Sequence, residues 1–218
     1  MEKSQDVEKS PDRVDRRRAR TRKAIIEAAL TLFADRALEA ISIDEIVEAA
    51  DIARGSFYNH FPNKESLALD ITETIRAALA AEIASANSGL TDPATRIAKG
   101  LCLILAFGLD HPRSARALTR LVPGTTAIDA PLNELARKDI ENGLTAGIMS
   151  EIAVEDGLVI TIGACMLTLH HALTLDAAAL RPRAFAATQA AALLRALGVS
   201  FAVAKTIADQ AGKEVFGA

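Results

Sequence analysis

The sequence predicts an all-α protein. Half of its 218 residues are hydrophobic, with Ala, Leu and Ile dominant, and this composition favours helix. Aromatic residues make up 4%, there is no tryptophan, and β-branched clusters bounded by turn pairs are scarce. Apolar residues recur at i, i+3, i+4 and i+7 along most of the chain. The length allows one or two domains with a real buried core.

The opening MEKSQDVEKSPD mixes charges with Ser and Pro and reads as a disordered tail over 1–16. It runs into a basic arm, RVDRRRARTRK, with seven cations from Arg13 to Lys23 against Asp15 alone. Ile26, Ala29, Leu30 and Phe33 then define an amphipathic helix over 18–36. Ser42 and Glu45 form an S-x-x-E capping pattern ahead of Ile43, Ile46, Val47 and Ala50, so a two-turn helix starts sharply at Ser42. After a break at Asp51 and Ile52 comes ARGSFYNHF, ended by Pro62, which forbids helical geometry at the residue before it. Asn63 caps a longer helix over 64–86 with a stripe at Leu67, Ile71, Ile75, Ala78 and Leu79.

From residue 85 the texture changes. Asp92 is an N-cap followed by Pro93 at the first helical position, and IAKGLCLILAFGL is apolar nearly all round and therefore interior. Further helices are expected at 112–121, 132–149, 155–175, 183–197 and 201–211, with LVPGTTAIDAP as a loop. The stretch GLVITIGACMLTLHHALTL lacks Asp, Glu, Lys and Arg and approaches membrane-spanning length. Its threonines and histidines, without basic flanks or an aromatic belt, favour a buried bundle helix, so no membrane partner is expected.

A net charge of -3 and a pI near 5.8 argue against indiscriminate coating of nucleic acid. Cys102 and Cys165 lie far apart in apolar helices and read as reduced core thiols in a cytoplasmic protein, and no apolar run follows the N-terminal charges as in a secretory signal. The four histidines fall at 60, 111, 170 and 171 with no metal-ligand spacing, phosphate loop or nucleophile motif, so neither metal, cofactor nor catalysis is expected. Asp110, His111, Arg113 and Arg120 read as solvated helix ends.

ARGSFYNHF concentrates the only tyrosine and two of seven phenylalanines in a segment too short to be stable alone. Phe57 and Phe61 share one face at i, i+4, extended by Ile52. Arg54, Gly55, Ser56, Tyr58, Asn59 and His60 occupy the other. Two amphipathic helices joined by a tight turn, the second polar on its outer face and a basic arm nearby, are the organisation of a helix-turn-helix DNA reader. Arg can pair guanine O6 and N7, and Gly55 lets backbones approach closely. Periodicity alone leaves a plain helical bundle open: an interaction module or small-molecule-binding bundle without sequence-specific DNA reading.

Residues 21–71, and above all GSFYNHFPNKESL, resemble the DNA-binding domain of the tetracycline-repressor (TetR) family. DPATRIAKGL and DIENGLTAGIM are similar to ligand-domain helices of some members. The resemblance implies a DNA-binding domain over 17–64 and an effector-binding, dimerising domain over 65–218. It implies base, sugar or phosphate contacts for Arg54, Gly55, Ser56, Tyr58 and Asn59, and phosphate contacts for Ser42, His60 and Lys64. Basic-arm residues such as Arg18 and Arg20 would add phosphate or minor-groove contacts. Three positions depart from the family pattern: Ala37 and Asp51 stand where Gly is usual, and Ala53 where Ser or Thr often caps. Left-handed geometry suits Asp but not Ala.

The implied function is a small-molecule-responsive regulator, most simply a repressor on a palindromic operator, in which the effector shifts the 64–86 helix. For the cavity, the apolar helices offer Leu101, Ile104, Leu105, Phe107 and Leu121, and further along Leu144, Ile148, Met166 and His170. Homodimerisation is expected through 155–175 and 183–197, where small residues permit close four-helix packing. A two-fold dimer would read half-sites ~34 to 36 Å apart.

Overall fold

A computed structural model describes residues 11–121, 131–175 and 180–217. These form α1 (Pro11–Asp35), a 3-10 turn (Leu38–Ala40), α2 (Ile43–Ala49), α3 (Arg54–Tyr58), α4 (Lys64–Ala86) and α5 (Pro93–Asp110). Then follow α6 (Pro112–Arg120), α7 (Pro131–Thr145), α8 (Val154–Thr174), α9 (Pro182–Ala196) and α10 (Phe201–Phe216). No strand occurs among the described residues.

Residues 11–16 of the expected disordered stretch lie in α1, while 1–10 lie outside the described residues. The exposed Arg16, Arg17, Arg18 and Arg20 are good helix formers. Ile25, Ala29 and Phe33 of α1 are buried with Ile41, Ile46, Phe57 and Phe61, forming the core of an N-terminal head.

The capping box at Ser42 is complete. Glu45 N–H donates to Ser42 Oγ at 3.2 Å, and Ser42 N–H donates to Glu45 Oε2 at 2.8 Å. At the far end of α2, Asp51 takes a left-handed φ of 51°. Asp51 N–H donates to Glu48 O and Ile52 N–H to Val47 O, both at 3.1 Å, the paired bonds of a Schellman ending with aspartate in the usual glycine position. Ala37 needs no such geometry: its φ of -64° and ψ of 148° are extended, so the missing glycine there carries no strain.

The α4 helix spans about 34 Å at 1.5 Å per residue and links the head to the rest. Asn63 Oδ1 accepts from Ser66 N–H at 2.7 Å to start it, and Leu67, Ile71, Ile75, Leu79 and Ile83 bury one face. Beyond it α5 is central, packed against α6, α7, α8, α9 and α10, while α1 of the head rests on α6.

Part of the alanine set of α9 serves the interior of the protomer. Ala186 and Ala190 are fully buried, as are Ala204 and Ala208 of α10, and a Cβ placed on Gly212 would stand 3.2 Å from Arg183 O, so α9 and α10 pack closely within one chain. Ala184, Ala192 and Ala196 of α9 are exposed. The helix expected over 132–149 stops at Thr145, where the backbone turns through Gly147 at φ 68° and Met149 folds back over Gly143. The expected loop LVPGTTAIDAP lies, from 122 to 130, outside the described residues.

Candidate nucleic-acid interface and ligand cavity

Ala53 is extended and supplies no side-chain cap to α3, a helix of five residues. Packing holds it instead. Phe57 is fully buried and Phe61 nearly so, with ring centroids 6.0 Å apart, and His60 and Phe61 N–H both donate to Phe57 O at 2.9 Å. The Arg22 guanidinium of α1 lies 5.3 Å from the Phe61 ring centroid and pairs with Asp70 of α4, so three elements close on one anchor.

With that face pinned, Arg54, Gly55, Tyr58 and Asn59 are exposed and Ser56 and His60 half-buried. A Cβ on Gly55 would meet nothing within 4 Å, so the protein's own packing gives no reason for glycine there. Arg54 Nη1 donates to Asp44 Oδ1 at 2.6 Å and Oδ2 at 2.8 Å, and Nη2 to Tyr58 Oη at 3.5 Å. The phenol and the carboxylate together make the guanidinium more basic than usual.

Two hollows flank α3. Towards α1, Arg17, Arg18 and Thr21 face Ser56, Asn59 and His60 across one cleft. Burial, then Arg18 and Arg22, push the His60 imidazole below its usual 6.5, leaving it neutral at pH 7. Towards α2 and α4, Ser42, Asp44, Arg54, Asn63 and Lys64 line the other. Lys64 Nζ donates to Leu38 O and Ile41 O at 2.8 Å, closing the 3-10 turn, and Ser42 Oγ is engaged in its cap. Arg20 is exposed on α1, outside both clefts.

A separate cavity, of about 70 Å³, lies where α4, α5, α6, α7 and α8 converge. Its wall is mainly aliphatic: Ile83, Ile97, Leu101, Ile104, Leu135 and Met166. Polar groups are few. Arg76 of α4 is half-buried, which lowers its pKa, with Glu73 acting in the opposite direction. Asn133 and Thr161 lie on the wall, as does the ion pair of Arg96 Nε with Asp139 Oδ1 at 2.5 Å. Burial pushes the Asp139 carboxyl upward more than Arg96 pulls it down. Arg96 Nη1 also donates to Asn87 O at 3.1 Å and Leu90 O at 3.3 Å, stapling the end of α4 to α5 and α7.

Residues 25–71 match the family model for bacterial regulatory proteins of the tetR family, and 92–210 match that for the tetracyclin repressor-like C-terminal domain. The chain belongs to the TetR family. Over 89 residues, 41% of the chain, it is 33% identical to an uncharacterized HTH-type transcriptional regulator, YuxN, of Bacillus subtilis (strain 168). Over 50 residues, 23% of the chain, it is 44% identical to the HTH-type transcriptional repressor KstR2 of Rhodococcus jostii (strain RHA1). Those stretches span 31% and 24% of the two relatives. Among solved structures, RolR in complex with resorcinol superposes with a TM-score of 0.61 at 27% identity, covering 90% of this chain and 96% of that one.

In this TetR-family chain the convergent helices gather only part of the cavity set read from sequence. Leu101, Ile104 and Met166 line the wall; Leu105 and Leu121 are buried elsewhere, and Phe107 packs on His111 with ring centroids 5.0 Å apart. Leu144 and Ile148 lie off the cavity, the latter beyond the end of α7, and His170 is exposed on the outer face of α8. Sequence reading missed the polar members Arg76, Arg96, Asn133, Asp139 and Thr161. Asp139 left a signal: it interrupts the stripe of Leu132, Leu135 and Ala136 seven positions after Leu132. Cys102 and Cys165 are free, buried thiols pushed up to about 12 by burial, which disfavours the reactive thiolate.

Proposed function

We propose that this chain is a ligand-responsive DNA-binding transcriptional regulator, a repressor released from a palindromic operator by a small hydrophobic or amphipathic effector. The observation that carries the DNA half is the division of α3: buried phenylalanines beneath, exposed Arg54, Gly55 and Tyr58 above, and basic α1 residues beside them. Arg17, Arg18 and Arg20, with His60 beside them, would supply backbone contacts, while Arg54 and Tyr58 read bases. As with other DNA regulators, its place of action is the cytoplasm.

Two-fold pairing fits the unpartnered stripe on α8, where Val159, Leu167 and the neighbouring His170 are exposed. Leu167 is 70% exposed, a large apolar side chain whose burial against a second copy would be favourable. With α9 alongside, such a dimer would present two α3 helices to successive half-sites.

The effector reading rests on the cavity between α4 and α8. RolR was solved with resorcinol, and an apolar wall with a few polar groups suits a compound of that kind in this chain as well. At about 70 Å³ the cavity is smaller than the roughly 150 Å³ that holds benzene in an engineered protein core, so a one-ring ligand must part the walls. One wall is α4, through Arg76 and Ile83, and the same helix meets the head through Lys64. An effector that binds the opened state more tightly would displace α4 and change the separation of the reading helices.

Binding to DNA from upstream of the chain's own gene, measured across a salt series, tests this proposal. Wild type is expected to prefer one sequence with affinity falling steeply with salt, and the Arg54→Ala, Tyr58→Ala double variant to lose the preference. Equal, sequence-blind affinity for both would overturn the assignment of α3.

A further inference from the structure

We infer that Asp44, on the helix preceding the reading helix, is a specificity-determining residue that acts by holding Arg54, an inference that rests on α3 being the DNA reader. Both carboxylate oxygens of Asp44 engage one guanidinium nitrogen, Nη1, at 2.6 and 2.8 Å. Tyr58 Oη, one helical turn along, is the only other side-chain partner of Arg54 among the described residues, at 3.5 Å from Nη2. Nε makes no hydrogen bond and Nη2, whose one contact is the long one to Tyr58, carries a second hydrogen, so the Nε–Nη2 edge can still offer the planar two-donor fork that pairs with O6 and N7 of guanine.

A stabilising role does not explain the pair. Asp44 and Arg54 side chains are 67% and 56% exposed, where ion pairs contribute little to folding. Nor does Asp44 suit a surface selected only to attract phosphate, since its charge sits in the hollow lined by Ser42, Asn63 and Lys64 and would repel the backbone. Its effect on Arg54 is different in kind. A free arginine on a DNA-facing surface has two uses: a base edge, which depends on sequence, and any phosphate within reach, which does not. The carboxylate neutralises much of the attraction to phosphate and fixes the torsions that aim the fork, so less conformational freedom is lost when a base is engaged. Asp44 thereby lowers sequence-blind affinity while preserving the sequence-dependent contact. Removing it frees Arg54 for the backbone.

The test uses the full chain and duplex DNA. Selection from a randomised duplex pool defines the wild-type preference, and affinities are then measured for the selected site, its single-base variants and an unrelated duplex. The proteins compared are wild type, Asp44→Asn and Arg54→Ala. Asp44→Asn keeps the shape of the side chain at an exposed position, and a thermal melt verifies that it is folded.

Asp44→Asn is expected to lose roughly tenfold discrimination at one base pair in each half-site, the same pair at which Arg54→Ala loses it, with other positions unchanged. Its affinity for the unrelated duplex should rise. There the slope of log affinity against log salt should steepen by about 0.9, as expected for one added phosphate contact. If Asp44→Asn keeps the discrimination of wild type at every position, the inference fails while the reading-helix assignment stands. If wild type selects no sequence at all, that assignment fails and takes the inference with it.

Discussion

Among the described residues up to Phe61 the ion pairs lie on the surface: Arg36 with Glu45 and Arg54 with Asp44, both at 2.6 Å, and Lys23 with Glu27 at 3.6 Å, all six side chains at least 40% exposed. In the cavity-bearing helices, Arg96 and Asp139 meet at 2.5 Å with exposures of 23% and 8%. The same chemistry answers to different costs in the two regions. Surface pairs in the head remain hydrated and can be lost with little harm to folding. The buried pair has surrendered its hydration, so each member depends on the other.

Breaking the buried pair should therefore have the largest effect. Asp139→Ala leaves Arg96 among Ile97, Leu101 and Ile104 without its carboxylate and is expected to cost about 3 kcal/mol in chemical denaturation. An Arg96→Met, Asp139→Leu double variant should be less destabilised than Asp139→Ala alone, because no uncompensated charge remains. A double variant that is the sum of its single changes would show that the two side chains are not coupled.

The contrast also explains how much was legible in the sequence. The geometry of the head could be read because much of it is local: Ser42 to Asn63 contain two caps, a turn and the i, i+4 pair Phe57 and Phe61, each set by neighbours within a few positions. Even there, the extended backbone at Ala37 and the left-handed one at Asp51 depend on how helices meet, and the Asp44 to Arg54 pair joins two helices. The cavity is built from five helices, and a helix apolar all round does not reveal which side faces which neighbour. Hence Met166 was found on the wall, but His170, one turn further along α8, points outward. The alanines of α9 were legible as close-packing residues, but whether they served α10 or another chain was not.

Gly55 offers a smaller and sharper test, because stability and binding should move in opposite directions. A Cβ there meets open space within the protein, and glycine is the less favourable residue in a helix. Gly55→Ala should raise stability, by on the order of 0.5–1 kcal/mol in thermal or chemical melts. It should weaken DNA binding, since the added methyl faces only the partner. A variant that gains stability and binds DNA unchanged would place the interface elsewhere.

The smallest expected effect is the acid response of the head. Ser42 N–H, then Arg36 and Ser42 Oγ, hold the Glu45 carboxyl down from 4.5 to about 2. In the unfolded chain those donors are gone and the carboxyl returns to its ordinary value. The stabilisation is therefore complete above about 4.5 and is lost as the pH falls from there towards 2, because the unfolded chain takes up the proton first. The Glu45 side chain is 40% exposed, so screening by water and salt keeps the effect small and makes it fade at high ionic strength. A Glu45→Gln variant retains a neutral capping acceptor and should show a flatter dependence of melting temperature on pH across that window than wild type. The same comparison on Asp139→Asn separates the regions: burial has pushed that carboxyl upward, so its titration lies at higher pH than that of Glu45. If Glu45→Gln leaves the acid limb of the pH profile unchanged, the capping box of α2 contributes nothing to the acid stability of the head.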